Sequence, residues 1–206
     1  FDIVVNAAGL FADEVYRMAG GTRDVEIRPC KGEYYAWRRG PVDALVYPVP
    51  HRFLAAGDAA KVSSMGVHLH RNVAGERFIG PTEVALDPSR KTDYAIAIIA
   101  EEIAARVAPL LAMAPDPAEL EPAFAGNRPK LFEDGRPVGD FEIFRDGPCV
   151  HLLGIESPGL TAALVAQVRT LALEGYNPDL TTAAGRKAIA SVAYKVAQTK
   201  TAIDAA

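Results

Sequence analysis

Cysteine is scarce in this chain: two occur among 206 residues, Cys30 and Cys149, too far apart for a C-x-x-C pair or a zinc-ligand spacing. Neither a disulfide framework nor a metal centre is expected, and reduced thiols point to a cytoplasmic setting, with peripheral membrane association left open. Clusters of Lys and Arg are missing and the net charge is -4, which argues against nucleic acid as a partner. No apolar run is long. The richest, Ala95 to Ala100, meets Glu101 and Glu102 far short of the ~20 residues that cross a bilayer, so no transmembrane segment is expected. Half the residues are nevertheless apolar, enough to build a core for one domain or two small ones.

An initiator Met is lacking as well. The chain opens on Phe1-Asp2-Ile3-Val4-Val5-Asn6, a buried-strand pattern with no lead-in. The expectation is the C-terminal part of a longer protein whose missing N-terminal half is required for activity.

What is there alternates between two textures. The first strand ends at Asn6-Ala7-Ala8-Gly9 and a helix from about Phe11 to Met18 follows, half of a Rossmann-type unit. Then comes an antiparallel sheet, with strands at Glu26 to Trp37, Ala44 to Val49, Met65 to His70 and Arg77 to Gly80, a hairpin turn at Asn72 to Gly75, and a polar loop over 50–63. Apolar Ile96, Ile99, Ile103 and Val107 predict a long helix from Asp93 to Leu111. A short helix from Pro117 to Phe124 leads into an extended segment at 125–131, because Pro129 keeps Arg128 out of the α region. Strands at Phe141 to Phe144 and Val150 to Ile155, a helix from Ser157 to Leu173 and an Ala-rich helical tail from Thr181 to Ile203 complete an α/β (α+β) fold.

One turn invites chemistry. In Gly154-Ile155-Glu156-Ser157-Pro158-Gly159-Leu160-Thr161, the glycines would let backbone approach a flat ligand, while Ser157 caps the following helix and Pro158 takes its first position. The positive end of the helix dipole would then face something electron-rich. A reduced flavin suits such a site, a phosphate does too, and the same residues can form a plain strand-to-helix corner.

Several blocks occur together in order: Val4-Val5-Asn6-Ala7-Ala8-Gly9, Pro29-Cys30-Lys31-Gly32-Glu33-Tyr34-Tyr35, Tyr47-Pro48-Val49-Pro50, Gly66-Val67-His68-Leu69, Gly80-Pro81, Gly126-Asn127-Arg128-Pro129-Lys130-Leu131 and Gly154 through Thr161. In that order they resemble the C-terminal half of the FAD-dependent oxidoreductases of the D-amino-acid-oxidase superfamily, most of all its L-2-hydroxyglutarate oxidase/dehydrogenase branch. The resemblance covers roughly residues 1–173. It implies part of a Rossmann-like FAD-binding domain at 1–24, an antiparallel substrate domain at 25–125, a return to the FAD-binding domain at 126–175 and a separate tail at 176–206. Departures are the absence of any G-x-G-x-x-G, Lys31 where Arg is frequent, His70 where Thr is usual, and an expanded segment at 52–63.

The resemblance also implies roles. FAD would lie against Ala8, Gly9 and the turn Gly154, Ile155, Glu156, Ser157, Pro158, Gly159, Leu160 and Thr161. Arg128 would bind the carboxylate of a small acid, since a planar guanidinium holds a carboxylate bidentately. His68 is the candidate base, because an imidazole titrates near neutrality; His70 shares its strand face. Tyr34 and Tyr47 can offer hydroxyls to the substrate, with Tyr35 turned to the opposite face from Tyr34, and Lys31 can meet a distal carboxylate or stay solvated. His51 and His151 read as structural. The implied reaction is oxidation of a 2-hydroxy acid such as L-2-hydroxyglutarate by hydride transfer to flavin. Two alternatives stay open: an amine or amino-acid oxidase of the same superfamily, and a non-catalytic remnant.

Overall fold

The computed structural model describes residues 3–40, 43–48 and 66–173. Its strands are β1 (Val4–Asn6), β2 (Val25–Trp37), β3 (His68–Arg71), β4 (Arg77–Gly80), β5 (Val84–Ala85), β6 (Leu120–Glu133), β7 (Arg136–Pro137), β8 (Glu142–Asp146) and β9 (Cys149–Leu153). Its α-helices are α1 (Ala12–Met18), α2 (Ala100–Val107) and α3 (Ala163–Leu173). The chain divides into two units, Phe1–Ile27 with Leu131–Ala206, and Arg28–Lys130, and passes between them within β2 and β6. The polar loop at 50–63, His51 within it, and the tail at 181–203 lie outside the described residues. No helix among the described residues is long and apolar enough to cross a membrane.

The first unit holds a sheet of order β1-β9-β8, with β1 parallel to β9 and β8 antiparallel to it. Ala12 and Tyr16 of α1 pack with Val25, Ile27, Leu131 and Leu153 in its core. Asn6, buried at the end of β1, bonds the carbonyl of Ala12 (2.8 Å) and His151 Nδ1 (3.0 Å), while its side-chain oxygen accepts from the N–H of Ala8 (3.2 Å). One short polar side chain thus fixes the exit of β1 to α1 and to β9. His151 is accordingly a core residue, 1 % exposed.

In the second unit the period-two alternation of β2 sorts its residues between two faces. Tyr35 and Trp37 join Leu69, Ile79, Ile103, Ala104 and Val107 in a core closed by α2. Tyr34 lies on the other face. The helix expected over Asp93 to Leu111 is α only over Ala100–Val107, followed by a 3-10 turn at Ala108–Leu110. The reason is a buried carboxylate. Glu33, 1 % exposed, accepts from the N–H groups of Ala97 (2.6 Å) and Ile98 (3.3 Å) and from the Thr82 hydroxyl (2.8 Å). Tyr35 Oη donates to the carbonyl of Ile98 (2.8 Å) and Lys31 Nζ to that of Ala95 (2.5 Å). Backbone groups that a helix would have paired internally are spent on β2 instead.

Three other expectations change. Pro117 to Phe124 is not a helix: a 3-10 turn, capped by the Asp116 carboxylate on the Ala118 N–H (2.9 Å), ends at Glu119, and β6 begins at Leu120. Of the strand expected at Ala44 to Val49, the described residues 44–48 form one bridge, between Val46 and Leu69, so Tyr47 stands beside β3 rather than in a strand. The helix expected from Ser157 starts at Ala163, after a turn in which the Thr161 hydroxyl and the Ala162 N–H both bond the Pro158 carbonyl (2.9 and 3.0 Å). Ser157 therefore caps nothing and Pro158 is not the first helical residue.

Lys31 is 3 % exposed, with Nζ 3.9 Å from Glu33 and 3.8 Å from Asp93. Burial pushes the Glu33 carboxyl up, but the N–H of Ala97, the Thr82 hydroxyl, the N–H of Ile98 and the Lys31 ammonium outweigh it and hold the group below the usual carboxylate range. Removing one member of such a buried set strands the rest. Glu33→Ala is expected to lower the unfolding free energy by about 3–5 kcal/mol, read from urea midpoints.

Candidate active site

The sheet face opposite α2 gathers the polar and aromatic residues of the second unit. β3 and β4 pair with His68 opposite Gly80 and His70 opposite Phe78, which turns both histidines to one side while Leu69 enters the core. Their ring centroids are 5.7 Å apart. Tyr47 stacks on His68 at 4.2 Å, and Phe78 stacks on His70 at 5.4 Å. Tyr34 meets His70 edge-on at 5.4 Å and stacks on Phe124 at 4.5 Å.

Arg128 completes this face from β6. Its guanidinium donates to the Thr82 carbonyl (3.3 Å) and to Cys30 Sγ (3.5 Å); among the described residues no carboxylate pairs with it. It is half-buried, and it packs close over Gly32, where a Cβ would come within 2.9 Å of its terminal nitrogen. A cation with only neutral partners leaves its charge to be met by a ligand anion. The charge is felt nearby. Burial pushes the Cys30 thiol and the Tyr34 hydroxyl up, with Arg128 opposing in each case. Burial likewise lowers the His68 imidazole below its ordinary value; a hydrogen bond to the Gly66 carbonyl resists and the Arg128 charge adds to the lowering.

That hydrogen bond decides a tautomer. His68 Nδ1 lies 3.0 Å from the Gly66 carbonyl, which can only accept, so Nδ1 carries the proton and Nε2 presents a lone pair. The imidazole is held neutral, with its accepting nitrogen unclaimed. It can take a proton.

In the first unit, β1 and β9 run parallel with Asn6 beside His151, so Ala8 and Gly9 leave the same sheet end as Gly154 through Thr161. Ligands of parallel sheets bind outside the carboxyl ends of strands. The turn's glycines answer first to its own packing: a Cβ at Gly154 (φ +69°) would sit 2.9 Å from Leu131 Cβ, and one at Gly159 would sit 2.6 Å from the Glu156 carbonyl oxygen. Ser157, Pro158, Leu160 and Thr161 are exposed, as is Ala8. Backbone N–H groups of Leu160 and Thr161 meet no acceptor among the described residues. An exposed turn with unmet donors, beside the exit of a parallel strand, fits a flavin edge bearing carbonyl oxygens.

The residues singled out from sequence thus fall into two sets. Tyr34, Tyr47, His68, His70 and Arg128 share one sheet face, and Ala8, Gly9 and the turn at 154–161 share one sheet end. Lys31 joins neither, being committed to the core. Phe78, Phe124, Cys30 and Thr82 were not anticipated. Phe78 could have been found from the hairpin register opposite His70, whereas Phe124 was hidden by its expected place in a helix. No group of three or more His, Cys, Asp or Glu side chains among the described residues is placed to hold a metal.

L-2-hydroxyglutarate dehydrogenase of Escherichia coli K12 is 25% identical over 230 residues, covering 89% of this chain and 51% of that protein; the same enzyme from strain UMN026 matches equally. The chain therefore spans about half the length of the curated relatives it matches. Among solved structures, dithionite-reduced L-α-glycerophosphate oxidase from Mycoplasma pneumoniae with FAD bound superposes with a TM-score of 0.63 at 23% identity, over 85% of this chain and 43% of that one. Glycine oxidase from Bacillus cereus gives 0.57 at 17% identity, over 86% and 44%. These likenesses show the fold. The model of the FAD dependent oxidoreductase family, DAO, matches residues 1–168, and the chain belongs to that family.

Proposed function

We propose that the protein carrying this chain oxidises a small 2-hydroxy acid to the 2-oxo acid, with a dicarboxylate such as L-2-hydroxyglutarate as substrate. The observation that carries the reading is Arg128, half-buried, paired with neutral groups alone and next to a neutral histidine with a free lone pair. The name of the Escherichia coli relatives supports the substrate class. A cytoplasmic location belongs to the same reading, supported by two cysteines that form no disulfide.

Arg128 holds the C1 carboxylate through two parallel hydrogen bonds and so orients C2. Nε2 of His68 accepts the hydroxyl proton, and the hydrogen on C2 departs with its electron pair, leaving the C=O of the 2-oxo acid. Bound FAD supplies the acceptor for that hydride. Ala8, Gly9 and the turn from Gly154 to Thr161 are the residues that would hold the flavin, with the N–H groups of Leu160 and Thr161 as the donors available to it. Tyr34 and Tyr47 wall the substrate with ring faces and exclude water from the reacting carbon.

Anaerobic addition of L-2-hydroxyglutarate to the FAD-loaded protein is expected to bleach the flavin, with glycine, sarcosine and D-amino acids inert. Bleaching by an amine and not by the hydroxy acid contradicts the reading. Arg128→Lys keeps the charge but loses the fork, and the dissociation constant for the acid should rise about 10- to 100-fold, measured by calorimetry.

The pH dependence has a definite sign. His68 works as a base only when neutral, and its pKa is lowered, so the rate of flavin reduction should stay level through neutrality and decline only below the ordinary histidine range. His68→Gln is expected to slow reduction by roughly 10²–10⁴-fold and to remove that acid limb; a variant with unchanged rate and pH profile excludes His68 as the base.

A further inference from the structure

A substrate with two carboxylates needs something at its far end, and the lysine that sequence offered for this is enclosed in the core between Glu33, Asp93 and the Ala95 carbonyl. His70 remains on the site face. Its Nδ1 is buried without a hydrogen-bond partner. A bare lone pair at such a place costs less than an unmet N–H, so the ring proton belongs on Nε2. The two histidines then present opposite characters: His68 offers an accepting Nε2, His70 a donating Nε2–H. Tyr34 edge-on and Phe78 face-on fix the plane of the His70 ring.

Register sets the order along the site. Arg128 bonds the Thr82 carbonyl, His68 stands opposite Gly80 and His70 opposite Phe78, so carboxylate clamp, base and second histidine follow one another at successive two-residue steps. The imidazole centroids are 5.7 Å apart. With carbon–carbon bonds near 1.5 Å, an extended five-carbon hydroxy diacid has about 5–6 Å between its C2 hydroxyl oxygen and its distal carboxylate oxygen.

Resting on the 2-hydroxy-acid reading above, we propose that His70 is a specificity-determining residue, whose Nε2–H binds the distal carboxylate of a hydroxy-dicarboxylic acid. This position carries the chain's preference for a diacid.

The test compares 2-hydroxyglutarate with 2-hydroxypentanoate, which has the same carbon chain but a methyl end. Binding is measured on the protein by calorimetry, with histidine ring ¹⁵N chemical shifts as a second readout. The five-carbon diacid is expected to bind about tenfold or more tightly than 2-hydroxypentanoate, the worth of one hydrogen bond to a charged group, and to shift the His70 Nε2 resonance. His70→Phe, which keeps an aromatic ring beside Tyr34 and Phe78 but has no donor, should erase that difference, whereas His70→Gln, which retains an N–H donor, should keep part of it. A preference that survives His70→Phe, or wild-type protein with no preference, overturns the assignment of His70. Failure of 2-hydroxypentanoate itself to bind in an Arg128-dependent way overturns the 2-hydroxy-acid reading instead, so the two failures are distinguishable.

Discussion

The alternation of β2 is the constraint on which the second unit rests. Lys31, Glu33, Tyr35 and Trp37 turn one way, toward α2 and the segment before it; Cys30, Gly32 and Tyr34 turn the other, toward Arg128 and the aromatic face. A slip of one residue would exchange the two sets. It would bury Tyr34 and strand the carboxylate of Glu33 in solvent. The buried set holds the register by bonding the backbone of 95–98, and the register places the site residues. Stability and recognition are thus opposite faces of one strand.

On the site face, charge is sparse and aromatic surface is plentiful. A guanidinium with neutral partners sits near two imidazoles that burial keeps uncharged. Partial burial strengthens the pull of a single cation relative to open water, and it keeps the histidines available as neutral donor and acceptor. The elements of the first unit proposed to hold the flavin rely on Asn6, which ties the end of β1 to α1 and β9 with three hydrogen bonds, and so fixes the exit at Ala8.

Much of this was legible in sequence where local pattern and tertiary demand agreed. The strand of β2, the hairpin of β3 and β4 with its turn at Asn72 to Gly75, and the same-face pairing of His68 and His70 follow from period-two alternation and turn chemistry. The helix at 93–111 was overcalled because Ile96 and Ile99 fit a helical period, while nothing in the local sequence says that a carboxylate sixty-odd positions earlier claims the N–H groups of Ala97 and Ile98. Lys31 looked available for substrate for the same reason: Asp93 and the Ala95 carbonyl, which enclose it, are distant in sequence. Phe124 and the late start of α3 were missed where proline was read as a helix opener and instead opens a short turn.

The central claim is that the unpaired charge of Arg128 is a carboxylate site. A crystal structure with 2-oxoglutarate, which is redox-inert here, tests it most directly. The account predicts one carboxylate within hydrogen-bond distance of both terminal nitrogens of Arg128. The acid bound to another cation, with Arg128 still on Thr82 and Cys30 alone, would contradict it.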